Sequence, residues 1–373
     1  MQSPIYFDNN STTKVDSRVV EAMLPYFSEY YGNASSKLHA FGWQAEAAVE
    51  KAREQLASLI GAEPSEIIFT SGATEAINMA LKGIFKAYRS KGNHIITVKT
   101  EHKAVIDTCE FLESEGAEIT YLHVDREGLI DLSELKAAIK TSTILIAVMA
   151  ANNETGLIQP LEAIGEIAKE HKIMFFSDAT QFVGKMQMNV VETCVHSVCL
   201  SAHKFHGPKG IGALYVRRKD PRLNVLPLIH GGGQEHGRRA GTLNVPLIVG
   251  LGKACELAQN EYWDNNMNVS KLRAYFEHNI LDLEGLRING STRYRLYNTS
   301  NVTFPKDVNV QDLLHKFAFS SGSACTSGTS EPSHVLKAMG MSDDDIKRSY
   351  RFSFSKYNTA AEVEQLVGAL LKR

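Results

Sequence analysis

In Ser201-Ala202-His203-Lys204-Phe205-His206-Gly207-Pro208-Lys209-Gly210 a lysine sits on a tight loop between two apolar runs, 197–200 and 211–216. Short apolar runs bounded by glycine and proline read as buried strands. The same pattern recurs upstream at 67–69, 94–98, 119–124, 143–149 and 173–176. Helical stretches at 74–90, 102–115, 132–139 and 161–171 separate most of these runs and are long enough to be crossover helices. Strand, crossover helix and strand in one sheet make a parallel pair, so the fold class is α/β with a large, mainly parallel, doubly wound sheet. Two helices precede it: 16–31, interrupted at Pro25, and 38–60, whose Ala48, Ala52, Leu56 and Leu59 recur at helical spacing.

After about residue 250 the texture changes. A long, polar-interrupted helical stretch, 247–281, is followed by short strands at 301–304 and 317–321 and closing helices at 334–339 and 361–371. The expected organisation is a large domain, 14–255, and a smaller α+β domain built from 1–13 and 256–373.

Composition fits a soluble enzyme: 373 residues, 43% hydrophobic and 22% charged, enough chain for one large domain and one small. A formal net charge of -2 gives no electrostatic basis for binding nucleic acid or an anionic membrane surface. The opening Met1-Gln2-Ser3-Pro4 lacks a basic and then apolar leader, and no apolar run approaches the ~18 residues of a membrane span. A cytoplasmic location is expected. Five scattered cysteines do not form a disulfide framework, which points to a reducing compartment.

Lys204 stands at a strand end among apolar residues, where desolvation favours the neutral amine that forms a Schiff base with an aldehyde cofactor or a carbonyl substrate. Upstream, Phe175-Phe176-Ser177-Asp178-Ala179-Thr180-Gln181 places Asp178 just past another strand, where an acid can pair with a pyridinium nitrogen. Together they are two of the groups expected around pyridoxal 5'-phosphate.

Four further clusters have a chemical and a bland reading. Ser71-Gly72-Ala73-Thr74-Glu75-Ala76 opens a helix after a strand; its amides and the Thr74 hydroxyl can hold a phosphate, or Ser71 or Thr74 can simply cap the helix. His102, in Glu101-His102-Lys103, lies beyond a strand at the carboxyl edge, able to stack on a flat cofactor and shuttle protons, or else a surface histidine at a helix start. Asn152-Asn153-Glu154-Thr155-Gly156 offers amides for a carboxylate or a ring oxygen, and equally an Asx-turn closed by glycine. Ser320-Ser321-Gly322-Ser323-Ala324-Cys325-Thr326-Ser327-Gly328-Thr329-Ser330 holds one cysteine among small polar residues, either a thiol that a loop carries between two sites or an incidental one. Cys109, Cys194, Cys199 and Cys255 read as small buried hydrophobes. No metal site is expected: Cys194 and Cys199 flank His196 at a spacing that suits no common zinc pattern, and the glycine- and histidine-rich run 230–239 lacks a third ligand.

These motifs, with Tyr6-Phe7-Asp8-Asn9-Asn10-Ser11-Thr12-Thr13, together resemble the cysteine desulfurases of the NifS/IscS type, in the class V aminotransferase group of fold-type I pyridoxal-phosphate enzymes. The resemblance runs from about residue 4 to the end. It implies that Lys204 forms the imine with the cofactor and then moves protons, Asp178 pairs with the ring nitrogen, Gln181 bonds the ring oxygen, and His102 stacks on the ring and acts in acid/base steps. Ala73, Thr74, Ser201 and His203 would bind the phosphate, and Thr242 would reach the phosphate of the neighbouring subunit, implying a homodimer with shared sites. Asn153 and Arg351 would hold the carboxylate of L-cysteine. Cys325 would take the substrate sulfur as a persulfide, leaving L-alanine, and pass it to an acceptor protein serving iron–sulfur cluster, thio-cofactor or tRNA biosynthesis. The sequence runs to Arg373, short of the longer tail that helps IscS proteins dock an iron–sulfur scaffold, so the resemblance does not extend to an expectation that this scaffold is bound in the same way. The cysteine segment has the IscS/NifS form rather than the short-loop SufS form. A selenocysteine lyase or an aminotransferase on the same fold is the alternative.

Overall fold

The computed structural model describes residues 4–321 and 332–372. Cys325 lies outside the described residues. A short strand β1 (Ile5–Tyr6) leads into helices α1 (Ser17–Met23), α2 (Pro25–Ser28) and α3 (Ala40–Ile60). Pro25 begins α2, where its missing N–H costs nothing, and Gly61 closes α3 in the left-handed conformation, φ 69°.

Strands β2 (Ile67–Thr70), β3 (His94–Val98), β4 (Glu118–Leu122), β5 (Thr143–Ala147), β6 (Met174–Asp178), β7 (Ser197–Ser201) and β8 (Gly212–Val216) form one seven-stranded sheet in the order β2-β8-β7-β6-β5-β3-β4. β8 pairs antiparallel with both β2 and β7; the remaining pairings are parallel. The crossover helices are α4 (Ala73–Tyr88), α5 (Lys103–Ser114), α6 (Leu132–Ala137) and α7 (Leu161–Glu170). Successive strand residues serve opposite faces. Ile67 and Phe69 join a core with Leu56 and Ile60 of α3, while Ile68 joins a second core with Ile77 and Leu81 of α4. Covering both faces is what makes these runs continuously apolar, and so legible in the sequence.

Beyond the sheet follow α8 (Val245–Asn260), α9 (Tyr262–Ile280), β9 (Arg287–Ile288), β10 (Thr299–Thr303), β11 (Phe317–Ala318), β12 (Ser320–Ser321), α10 (His334–Ala338), α11 (Asp343–Lys347), β13 (Ser349–Ser353) and α12 (Ala360–Leu371). β12-β13-β10-β9 form an antiparallel sheet over a third core that includes Phe276, Phe304, Phe319, Phe352 and Phe7. The N-terminal arm is tied to this core: β1 pairs with β11, and Asp8 bridges Ser353.

Three features depart from the sequence expectation. The stretch 247–281 is two helices separated at Glu261 (φ −102°, ψ 10°), with neither glycine nor proline to mark the break. The stretch 317–321 divides at Phe319 into strands of two different sheets. β13, an inner strand buried at all five residues, was not anticipated, because Ser349, Arg351 and Ser353 disguise its buried character.

Candidate active site

The carboxyl ends of β2, β3, β5, β6 and β7 open onto a cavity of about 650 Å³, where open α/β sheets place their ligands. The segment after β2 brings Ala73 and Thr74, that after β3 brings His102, and that after β5 brings Asn153; Asp178 ends β6 and Gln181 follows it, while Ser201 ends β7 and His203 and Lys204 follow it. From the smaller sheet come Ser320 and Arg351, and from the N-terminal arm Asp8, Asn10 and Ser11. Thr242 is exposed and does not line this cavity.

At one end is the start of α4. Its N-cap is Gly72 with no side-chain cap bond, so neither Ser71 nor Thr74 caps the helix. Glu75 reaches back to the Ser71 N–H at 2.7 Å and grips Arg239 through Nε at 2.7 Å, tying the 230–242 loop to this turn. Burial would raise the Glu75 carboxyl, but Arg239 and Ser71 outweigh it and hold the group below its ordinary value. β8 passes so close that a Cβ on Gly212 would lie 2.8 Å from Gly72 Cα. Ala73 and Thr74 at the start of α4, Ser201, His203 and Lys209 all line the cavity. Burial, with the charges of Lys204, Lys209 and Lys185, pushes the His203 imidazole down to about 4.

At the middle, Lys204 Nζ donates to the carbonyls of Asn10 at 2.8 Å and Ser11 at 2.7 Å. Asp178 is buried, and its Oδ1 accepts from the Thr180 N–H at 2.9 Å and from Cys199 Sγ at 3.3 Å. Burial and the neighbouring Asp178 push the Cys199 thiol well up, which keeps it a donor. His102 Nδ1 accepts the Ala104 N–H at 3.1 Å, so this histidine caps α5 and lines the cavity at once. Burial lowers its pKa, with Asp178 opposing and Lys204 and His334 adding. Behind it, buried Glu101 accepts the Met149 N–H at 2.6 Å, and burial raises its carboxyl well above the ordinary value.

The Gln181 amide is oriented on both sides: Nε2 donates to the Asn10 carbonyl at 2.9 Å, and Oε1 accepts from Lys185 Nζ at 2.6 Å. Lys185 is buried, and burial, Lys204 and Arg351 push its amine well below the ordinary lysine value. An anion-holding helix start, a buried acid, an amide with its donor side fixed and a lysine between them form a donor set that fits pyridoxal phosphate.

At the far end Arg351 Nη1 donates to the Asn153 carbonyl at 2.9 Å, and Nη2 to Asp8 Oδ1 at 2.6 Å. Asn152 takes the Asx-turn role, its Oδ1 accepting from the N–H groups of Glu154 at 2.8 Å and Thr155 at 3.0 Å, which leaves Asn153 on the cavity. Gly156, φ 77°, is required there: a Cβ would sit 2.8 Å from Thr299 Cβ. Sequence reasoning assigned no role to Asp8, Asn10 and Ser11, although they belong to a quoted motif, and missed Lys185 and Glu101, which carry no local signal. Among the described residues no group of three or more His, Cys, Asp or Glu side chains is placed to hold a metal ion, and no helix is long and apolar enough to cross a membrane.

The aminotransferase class-V profile matches residues 5–366. A cysteine desulfurase IscS of Neisseria meningitidis serogroup A is 50% identical over 100% of this chain and 92% of its own length, and one of Histophilus somni is 48% identical over 99% and 92%. Among solved structures, a NifS-like protein superposes with a TM-score of 0.92 at 39% identity, covering 99% of this chain and 98% of its own. One described as SspA in complex with cysteine gives 0.85 at 40%, covering 95% and 100%. By sequence over its full length and by fold, the chain belongs to the class-V aminotransferase family, in the group of the NifS- and IscS-type cysteine desulfurases.

Proposed function

We propose that this cavity is the active site of a pyridoxal-phosphate-dependent cysteine desulfurase acting on L-cysteine. The observation that carries the assignment of residues is the convergence of Lys204, Asp178 and His102 with Arg351, which stands on a separate sheet. The cofactor supplies an electron sink beside the carbon that bears the substrate amine. Ala73, Thr74, Ser201 and His203 hold its phosphate, Asp178 its ring nitrogen and Gln181 its ring oxygen. Arg351 and Asn153 orient the substrate carboxylate. Lys204 and His102 move protons: the lowered pKa of His102 keeps its imidazole neutral near pH 7, and with Nδ1 accepting the Ala104 N–H its ring proton sits on Nε2, where it can be donated. The Cys325 thiolate attacks the substrate sulfur; the carbon–sulfur bond breaks, a persulfide forms on Cys325, and the carbon skeleton leaves as L-alanine after taking up a proton. An acceptor protein of iron–sulfur cluster, thio-cofactor or tRNA biosynthesis then takes the sulfur, in the cytoplasm.

A homodimer belongs to the same proposal. Thr242 stands outside its own chain's cavity, free to serve a partner's, and apolar side chains on and near the first helices are exposed, Leu38 at 94% and Tyr31 at 66%. The division into 14–255 and 1–13 with 256–373 is supported by the separate phenylalanine-rich core. The test is release of alanine and sulfide from L-cysteine with a reductant. Wild type is expected to release both in equal amounts, and Cys325→Ala to keep its cofactor absorbance and release neither. An equally active variant overturns the persulfide role.

A further inference from the structure

Arg351 is heavily engaged. Besides Asp8 and the Asn153 carbonyl, its Nη2 donates to Ser11 Oγ at 2.7 Å and Ser320 Oγ at 2.9 Å. A terminal guanidinium nitrogen carries two protons, so three oxygens already contend for those on Nη2. A ligand carboxylate that takes both terminal nitrogens as a bidentate fork must displace an oxygen already there. Asp8 is the one carboxylate among these four partners, and the one whose charge repels the newcomer.

Asp8 is also held in place independently of the arginine. Ser320 Oγ donates to the same Oδ1 at 2.8 Å, the Asp8 carbonyl accepts the Tyr6 hydroxyl at 3.0 Å, and its backbone bridges Ser353, two residues beyond Arg351. Arg351 is 4% exposed against 19% for Asp8, so the acid is the more accessible member of the pair and lines the cavity. Two carboxylates within a few ångströms in a half-buried cavity disfavour each other more than they would in water.

We propose that Asp8 is a positioning residue acting through Arg351 as a built-in competitor of the substrate carboxylate. It orients and charge-compensates the guanidinium between turnovers, yields to the incoming amino acid, and by re-pairing with Arg351 hastens release of the product, which carries the same carboxylate. The proposal rests on Arg351 being the substrate-carboxylate site.

The test uses cofactor-loaded enzyme and 3-mercaptopropionate, which has the carboxylate and thiol of the substrate but no amine to exchange onto the cofactor. Its Kd is measured by calorimetry for wild type, Asp8→Asn and Arg351→Gln. Asp8→Asn is expected to bind the probe about five- to tenfold more tightly, and to be inhibited more strongly by L-alanine. A merely structural role for Asp8 predicts weaker binding. If Arg351→Gln binds like wild type, the carboxylate reading of Arg351 fails. If Arg351→Gln loses binding while Asp8→Asn binds equally or more weakly, the arginine reading stands and the Asp8 proposal is overturned. Asp8→Ser, for which the same sign is expected, replaces Asp8→Asn should that variant not fold.

Discussion

The two ends of the cavity are built on different principles. The cofactor end is made by strand ends of a single sheet whose two faces are both covered, so every group there sits just after a continuously apolar run. The carboxylate end joins Asn153, after β5, to β12, β13 and an N-terminal arm that lies more than 300 residues from those two strands and meets them over a separate aromatic core. One end is a property of the sheet; the other depends on two packed units keeping their register.

Removing Lys204 strikes the cofactor end alone. Lys204→Ala is expected to lower turnover by at least about 10⁴-fold while still binding 3-mercaptopropionate, as calorimetry would show. Loss of probe binding in that variant would mean that the two ends are not separable.

Phe352→Ala strikes the other end through its packing. The ring is fully buried, with centroids 4.7 Å from Phe276 and 4.8 Å from Phe319, and it neighbours Arg351 on β13. A loss of about 3–5 kcal/mol in urea unfolding is expected, together with a raised KM for cysteine and an unchanged visible spectrum of the cofactor. A shifted spectrum would break the comparison. Arg351→Gln is expected to raise KM about a hundredfold and to lower stability as well, because Asp8 is then left without its guanidinium partner.

The smallest effect concerns pH and belongs to the large sheet. His196 Nδ1 accepts the Phe175 N–H at 3.0 Å, and burial, aided by Arg217, pushes its pKa down from 6.5 to about 4. The unfolded chain therefore binds this proton first: stability present above pH 6.5 is lost as pH falls toward 4. Between pH 7 and 5 the loss from this group is about 2 kcal/mol, and His196→Asn is expected to remove about 1–2 kcal/mol of that pH dependence. An unchanged pH profile in urea unfolding would assign the effect elsewhere.

The same contrast explains what could be read in advance. β3 occupies 94–98 as expected, and β2, β5, β6 and β7 begin or end within two residues of their runs, because a doubly covered parallel sheet writes itself as unbroken apolar segments. Position alone suggested a chemistry for Lys204 and Asp178; Thr74 and His102 kept a bland alternative there, and the roles of Gln181, Ser201 and His203 came only with the resemblance. β13 escaped because its middle residue is an arginine and its ends are serines, a buried strand whose polar groups serve the cavity and the strands on either side. Lys185 escaped for the opposite reason: Gln181 is only four residues away, but the burial of the lysine and its bond to Asn10 come from the fold, and nothing local separates it from a solvated one. Arg351 and Asn153 were reached through the resemblance of their motifs, and the Asp8 contact required coordinates.

The central claim is that the loop after β7 presents Lys204, rather than a neighbouring amine, to the cofactor. Lys209 also lines the cavity and Lys185 lies behind Gln181, so the choice is a real one. Borohydride reduction of the loaded enzyme, followed by digestion and mass spectrometry, distinguishes them. The pyridoxyl group is expected on the peptide at Lys204; finding it on Lys209 or Lys185 would overturn the assignment of Lys204.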